Sequence, residues 1–147
     1  GYVQSGRVHL YRGPSRRHTT DTPFYLRNID KLPKVEILYG YAGSGTAAVE
    51  AAVKAGAAGI VYAGTGNGSL PEAAKAALAS ARKKGVFVVR SSRTGSGMVS
   101  RNGGVNDDDL GFIAADNLNP QKSRILLMLA LTATRDAKVI QQFFDGY

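Results

Sequence analysis

Apolar residues along this chain fall first in short alternating runs, then in blocks that switch between strand-like and helix-like spacing. Residues 2–11, Tyr-Val-Gln-Ser-Gly-Arg-Val-His-Leu-Tyr, alternate on either side of Ser5-Gly6, which predicts a β-hairpin with a two-residue turn. Residues 12–33 place Gly13, Pro14, Pro23 and Pro33 among many charges and read as a linker or surface-hugging loop. From residue 34 the texture changes. Apolar runs at 34–40, 59–63 and 86–90 predict buried strands, and 110–115 a short fourth one. Between them, 46–55 and 72–84 read as helices ended by Gly56 and Gly85, the second with Pro71 just inside its start. Asn119 followed by Pro120 opens a helix to about residue 132, buried through Ile125, Leu126, Met128 and Leu129. Asp136 caps a last helix through Phe144, and the Phe143, Phe144, Tyr147 end reads as an aromatic face docked on the core or on a partner. Residues 91–109, rich in Gly, Ser and Asp, read as one long loop.

Strands that alternate with helices imply parallel pairing, right-handed crossovers and helices on both faces of the sheet. The expected architecture is α/β: a small doubly wound domain over 34–147 with a four-stranded parallel sheet and flanking helices. A hairpin (1–11) and a linker (12–33) precede it. A lone hairpin is marginal in water, and the chain opens on Gly rather than Met. The expectation is that the hairpin belongs to an N-terminal domain missing from this chain.

Composition narrows the function classes. The 147 residues suffice for one domain with its own core. With no cysteine, disulfides and thiolate metal sites are excluded, and with two histidines a metal site would need carboxylates. The longest apolar run, Ile125 to Leu131, is too short to cross a bilayer, and no signal-peptide pattern opens the chain. The net charge of +8 invites a nucleic-acid reading. Its distribution argues otherwise: +5 of it lies in residues 1–34, in the Pro-containing segment rather than along a helix face. A basic linker packed on an acidic surface has the same signature, so neither nucleic acid nor membrane is expected as a partner.

Four stretches raise candidate chemistry. Residues 64–69, Gly-Thr-Gly-Asn-Gly-Ser, join a strand to a helix at the carboxyl end of the sheet, where α/β proteins bind ligands. The glycines suggest a phosphate loop, but no Lys-Ser/Thr follows, and Ser69 stands where the dinucleotide fingerprint needs glycine. Asn67 and Ser69 remain as small polar groups, with a plain strand-to-helix turn as the alternative. Arg90-Ser91-Ser92-Arg93 lies at the same sheet end and reads either as an anion or carboxylate site or as a salt-bridged loop anchor, the anchor being preferred. Asp107-Asp108-Asp109 is read as a solvated acidic run rather than a metal cluster. His18-Thr19-Thr20-Asp21-Thr22 lies in the linker and His9 in the hairpin, which leaves no Ser-His-Asp arrangement in the α/β body.

Several segments in order resemble the bacterial type II L-asparaginases and glutaminase-asparaginases. These are Pro33-Lys34-Val35-Glu36-Ile37-Leu38-Tyr39, the run from Gly59 through Ser69, Val89-Arg90-Ser91-Ser92-Arg93, Leu118-Asn119-Pro120-Gln121-Lys122 and the end from Ala130 to Tyr147. The resemblance covers the whole chain and implies an enzyme about twice as long. It implies hydrolysis of L-asparagine, and of L-glutamine, to the acid and ammonia through a threonine acyl-enzyme, with no cofactor or metal. The family's catalytic motifs, a Gly-Gly-Thr turn and a His-Gly-Thr-Asp-Thr motif, are absent here, so no catalytic residue is expected in this chain. Ser69 matches the position that reaches the substrate's α-amino side, with Asn67 beside it, while the family's Glu for the same ammonium is replaced by Gly104. Asp107 or Asp108 is a possible substitute. The resemblance further implies a homotetramer with sites shared between subunits, in the periplasm or secreted. The alternative is a non-catalytic α/β module for small molecules or anions.

Overall fold

The computed structural model describes residues 1–25, 27 and 29–147. Two linker positions, Leu26 and Asn28, lie outside the described residues. Strands β1 (Tyr2–Gln4) and β2 (Arg7–His9) pair antiparallel, with Val3 opposite Val8. Ser5 and Gly6 both take positive φ, 50° and 73°, the turn whose twist matches a right-handed hairpin. Every hairpin residue is exposed, including Tyr2, Val3 and Val8.

The main sheet contains β3 (Val35–Tyr39), β4 (Gly59–Gly64), β5 (Phe87–Ser92) and β6 (Ile113–Ala114), all parallel, in the order β3-β4-β5-β6. Strands β4 and β5 are central and buried on both faces, which explains their unbroken apolar runs. Their side chains alternate between two cores. Val61, Val89, Phe87 and Ile113 face helices α4 (Pro120–Ala133) and α5 (Ala137–Gly146). Ile60, Tyr62 and Val88 face α1 (Ala47–Lys54) and α2 (Glu72–Lys83).

Helices cover both faces as expected, but the strand order never reverses. The crossovers α1 and α2 share one face, and the other is covered only after the last strand, by α4 and α5. Such a sheet has no switch-point crevice, so a site at its carboxyl end has to be built from the loops themselves. Two local expectations are also refined. Pro71 is the N-cap of α2 rather than its first residue. The long loop contains a one-turn helix, α3 (Asp107–Leu110), capped by Asn106 and ended by Gly111 at φ 64°. Asn119 and Asp136 cap α4 and α5 through their side chains.

The linker lies on the α/β body. Arg16 pairs with Asp116 and donates to the carbonyls of Phe144 and Asp145 at the end of α5. Phe24 meets Phe143 edge-on at 5.1 Å, and the Tyr147 hydroxyl donates to Thr22 Oγ1 at 2.7 Å. The aromatic end thus docks on this chain's own linker, while Phe144 is fully buried in the core.

Strand β6 is an edge strand of two residues, and a side chain completes it. Gln141 accepts from the Ala114 N–H at 2.8 Å and donates to its carbonyl at 3.1 Å, substituting for a fifth strand. Replacing Gln141 by Leu preserves most of the volume but strands a buried donor and acceptor. Gln141→Leu is expected to lower the unfolding free energy by about 2–4 kcal/mol, read from urea denaturation with an unchanged m value.

Candidate functional site

Beyond the carboxyl ends of β4 and β5, two segments come together: the turn 65–69 and the stretch 99–107. The turn closes on itself through a bridge between Thr65 and Ser69, with Ser69 N–H donating to Thr65 O at 2.9 Å. Glycine is required here by close approach. A Cβ on Gly64 would stand 2.2 Å from the Ser69 carbonyl oxygen. At Gly68, which has φ 68°, it would stand 2.8 Å from Val99 Cγ1 and 3.0 Å from Arg90 Nη1.

Arg90 lies against the space that Gly68 leaves. Its side chain and that of Asp107 are fully buried. Nε donates to Asp107 Oδ1 at 2.5 Å and Nη2 to Oδ2 at 2.6 Å, a two-pronged ion pair. Nη1 donates to the carbonyls of Asn67 (2.9 Å) and Gly68 (3.2 Å), and Nη2 to that of Ser100 (3.1 Å). All five guanidinium donors are therefore engaged. Asp107 Oδ2 also accepts from the Asn102 N–H at 2.9 Å. The Asn67 amide adds a second tie nearer the surface. Its oxygen accepts from Ser100 N–H at 2.7 Å, and its nitrogen donates to Ser100 Oγ at 2.8 Å and to the Gly103 carbonyl at 3.1 Å.

The sequence-predicted residues separate accordingly. Ser69 is exposed at the end of the turn, whereas half-buried Asn67 is a latch between the two segments. The acidic run is not uniformly solvated, because Asp107 is in the core. Both of its oxygens are engaged, so it is not available as a substitute acid. Asp108 is exposed and accepts from Arg101 Nε at 2.9 Å and Asn102 Nδ2 at 2.9 Å, and Asp109 accepts from Asn106. The three neighbouring carboxylates thus point to different surroundings, Asp107 to Arg90, Asp108 to Arg101 and Asp109 to Asn106, and among the described residues no cluster of three metal-ligating side chains forms. Arg90, with no donor to spare, is an anchor and not an anion site. Arg93 is exposed, and its N–H ties it to the Gly64 carbonyl.

Gly104 lines a surface pocket of about 440 Å³ with Asn102, Val105, Asn106, Asp108 and Asp109. A Cβ at this position would meet nothing within 4 Å, and its φ is outside the left-handed region. The backbone therefore does not demand glycine there. The roomier groove of about 650 Å³ between linker and α4 is lined by apolar groups such as Phe24, Leu118, Ile125 and Leu129 and carries no acid. The partner of Arg90 is the feature sequence reading missed. An arginine ending the run Val86-Phe87-Val88-Val89 was the available signal, since a charge in a buried strand needs an acid.

The glutaminase/asparaginase C-terminal domain family matches residues 34–144. The chain is 55% identical over 133 residues to L-asparaginase 2 of Bacillus subtilis, covering 90% of this chain and 35% of that protein. It is 46% identical over 147 residues to the "Probable L-asparaginase periplasmic" of Haemophilus influenzae, covering 100% of this chain and 42% of the relative. It is 45% identical over 148 residues to the glutaminase-asparaginase of Pseudomonas fluorescens biotype A, covering 100% of this chain and 41% of the relative. The matched region is the C-terminal part of these relatives, and the chain spans less than half their length.

Asp108 offers a titration test of the loop geometry. Hydrogen bonds from Asn102 and Arg101, with the Arg101 charge adding, hold its carboxyl below the ordinary aspartate value of 3.8. A group depressed in the folded state supports its contacts above the unfolded value and loses them only as pH falls through the lowered one. A carbon-13 titration of the Asp108 carboxyl is expected to show a midpoint below 3.8. Asn102→Ala and Arg101→Ala should each move the midpoint upward.

Proposed function

The chain belongs to the glutaminase/asparaginase family, as its C-terminal domain, and on that premise we propose that it is the substrate-positioning part of an amidohydrolase. The reaction is hydrolysis of L-asparagine, and of L-glutamine, to the acid and ammonia. The observation that carries this reading is the match of the whole chain to the C-terminal part of asparaginases and glutaminase-asparaginases. The nucleophile is a threonine on the N-terminal part of the complete protein, acting through an acyl-enzyme and an oxyanion hole. The fully exposed hairpin is the piece of this chain that joins that N-terminal domain. The complete enzyme is a homotetramer with sites shared between subunits, and the name of the Haemophilus relative supports a periplasmic location.

Within this chain the role is orientation. Ser69 presents its hydroxyl to the α-ammonium of the substrate from a turn that cannot shift freely, which favours the reactive geometry over other bound poses. Where the resemblance implies a Glu for the same ammonium, Gly104 contributes no charge. Asp108, the exposed acid across the pocket, is held by Arg101 and Asn102 and supplies negative potential rather than a direct contact.

Two measurements test this. The 147-residue chain alone is expected to release no ammonia from asparagine, and release by the pure, mass-verified chain would refute the division of labour. A chimera in which this chain replaces the matching segment of the Bacillus L-asparaginase 2 is expected to be active. In it, Ser69→Ala should raise KM for asparagine about tenfold with kcat nearly unchanged. Gly104→Glu, which the backbone accommodates, should lower KM. An active chimera whose KM ignores both changes would remove Ser69 and Gly104 from the substrate's surroundings.

A further inference from the structure

Arg90 touches no solvent, so it touches no substrate. Its bonding pattern nevertheless differs from that of an ion pair that only holds a core together. Two donors face Asp107, and the other three face main-chain carbonyls on the two segments that form the site wall. Two of those carbonyls, of Asn67 and Gly68, are the ones immediately before Ser69. The third, of Ser100, opens the stretch that leads to Gly104. Asp107 returns to the same stretch through the Asn102 N–H. A single buried guanidinium therefore sets the distance between the turn and the loop, and the Asn67 amide repeats the tie one layer further out.

We propose that Arg90 and Asp107 are the positioning pair of this site, fixing Ser69 relative to Gly104 so that the 65–69 and 99–107 segments move as one wall. The functional part of this inference rests on the reading of Ser69 given above. Lysine cannot replace Arg90 in this role. An ammonium offers three donors around one point and cannot reach a carboxylate and three carbonyls together, whereas the planar guanidinium spans them. The coupling is mutual. Loosening the loop at Gly103 should be felt at Ser69, and loosening the turn should be felt at Asn102.

The test has two arms. In the 147-residue chain, amide hydrogen exchange is measured for wild type, Arg90→Lys, Asn67→Ala and Gly103→Ala. The last two alter partly or fully exposed positions and guard against loss of folding in the first. A Cβ at 103 would stand 2.2 Å from Ser100 Oγ and 2.6 Å from Asn67 Nδ2, which disrupts the outer tie, and 3.1 Å from the Ser100 carbonyl that Arg90 holds. Each variant is expected to speed exchange at Ser69 and at Asn102 together by about tenfold or more, while Ile60 and Val61 in β4 keep their protection. Acceleration at only one of the two sites, or at Ser69 only in step with β4, overturns the proposal. In the chimera, Asn67→Ala is expected to raise KM about tenfold at near-constant kcat, and to add little to Ser69→Ala, because both act through one group. Additive effects overturn the positioning role. Coupled exchange with a KM indifferent to Ser69→Ala would support the shared wall and overturn the substrate reading of Ser69.

Discussion

A guanidinium can be held away from water only when each of its N–H groups finds an acceptor, and strand β5 carries Arg90 to a place without solvent. That requirement organises the carboxyl end of the sheet. The carboxylate of Asp107 answers the charge and two donors, and the remaining donors bring the backbone of two otherwise independent segments to within hydrogen-bonding distance. The surrounding sequence fits this. A Cβ on Gly68 would press on Val99 and on the guanidinium, and the Asn106 cap starts α3 at Asp107, whose carboxylate is buried against Arg90. Removing one partner of such a pair costs about 3–5 kcal/mol, most of it the penalty of the charge left behind. The arrangement is therefore better understood as a source of geometry than as a source of stability.

The sheet explains why loops must supply that geometry. Its strands follow one another without reversal, so no two crossovers part to leave a crevice. The two cores are well formed on either side of β4 and β5, and Gln141 closes the β6 edge. What rises above the carboxyl ends is a ridge with Ser69 on its exposed turn. An exposed turn can form one side of a binding site but cannot enclose it, and the function proposed above accordingly draws its nucleophile from another part of the complete protein.

Much of this was legible in the residues. Local signals carried the elements: Ser5-Gly6 for the hairpin, Asn119-Pro120 and Asp136 for helix starts, Gly56 and Gly85 for helix ends. Each depends on a few neighbouring dihedrals and hydrogen bonds, so each can be read from a short window. Asp107 shows the opposite case. Beside Asp108 and Asp109 it looks like part of one solvated run, and only the fold, by bringing it to Arg90 seventeen residues upstream, makes it the buried member of the three. The same non-local step turned Asn67 from a candidate ligand into a latch. Strand order, which decided how the faces are covered, also leaves no mark on the spacing of apolar residues.

The basic N-terminal segment gains meaning from the same physics. Arg16 meets Asp116 and the last carbonyls of α5, where the helix dipole favours a cation, and Arg17 N–H reaches the Gly146 carbonyl. Asp116 in turn accepts the Val99 N–H through its own carbonyl at 2.8 Å, and the Ala115 N–H donates to Arg90 O at 2.9 Å. Val99 is also the side chain that would meet a Cβ on Gly68. The linker and the two wall segments are thus joined by one continuous set of contacts, with Arg90 at its centre. Some of the positive charge that first suggests a polyanion partner belongs instead to the anchorage of the linker. That anchorage fixes where the linker runs on the α/β body, with Arg16 and Arg17 held at the end of α5.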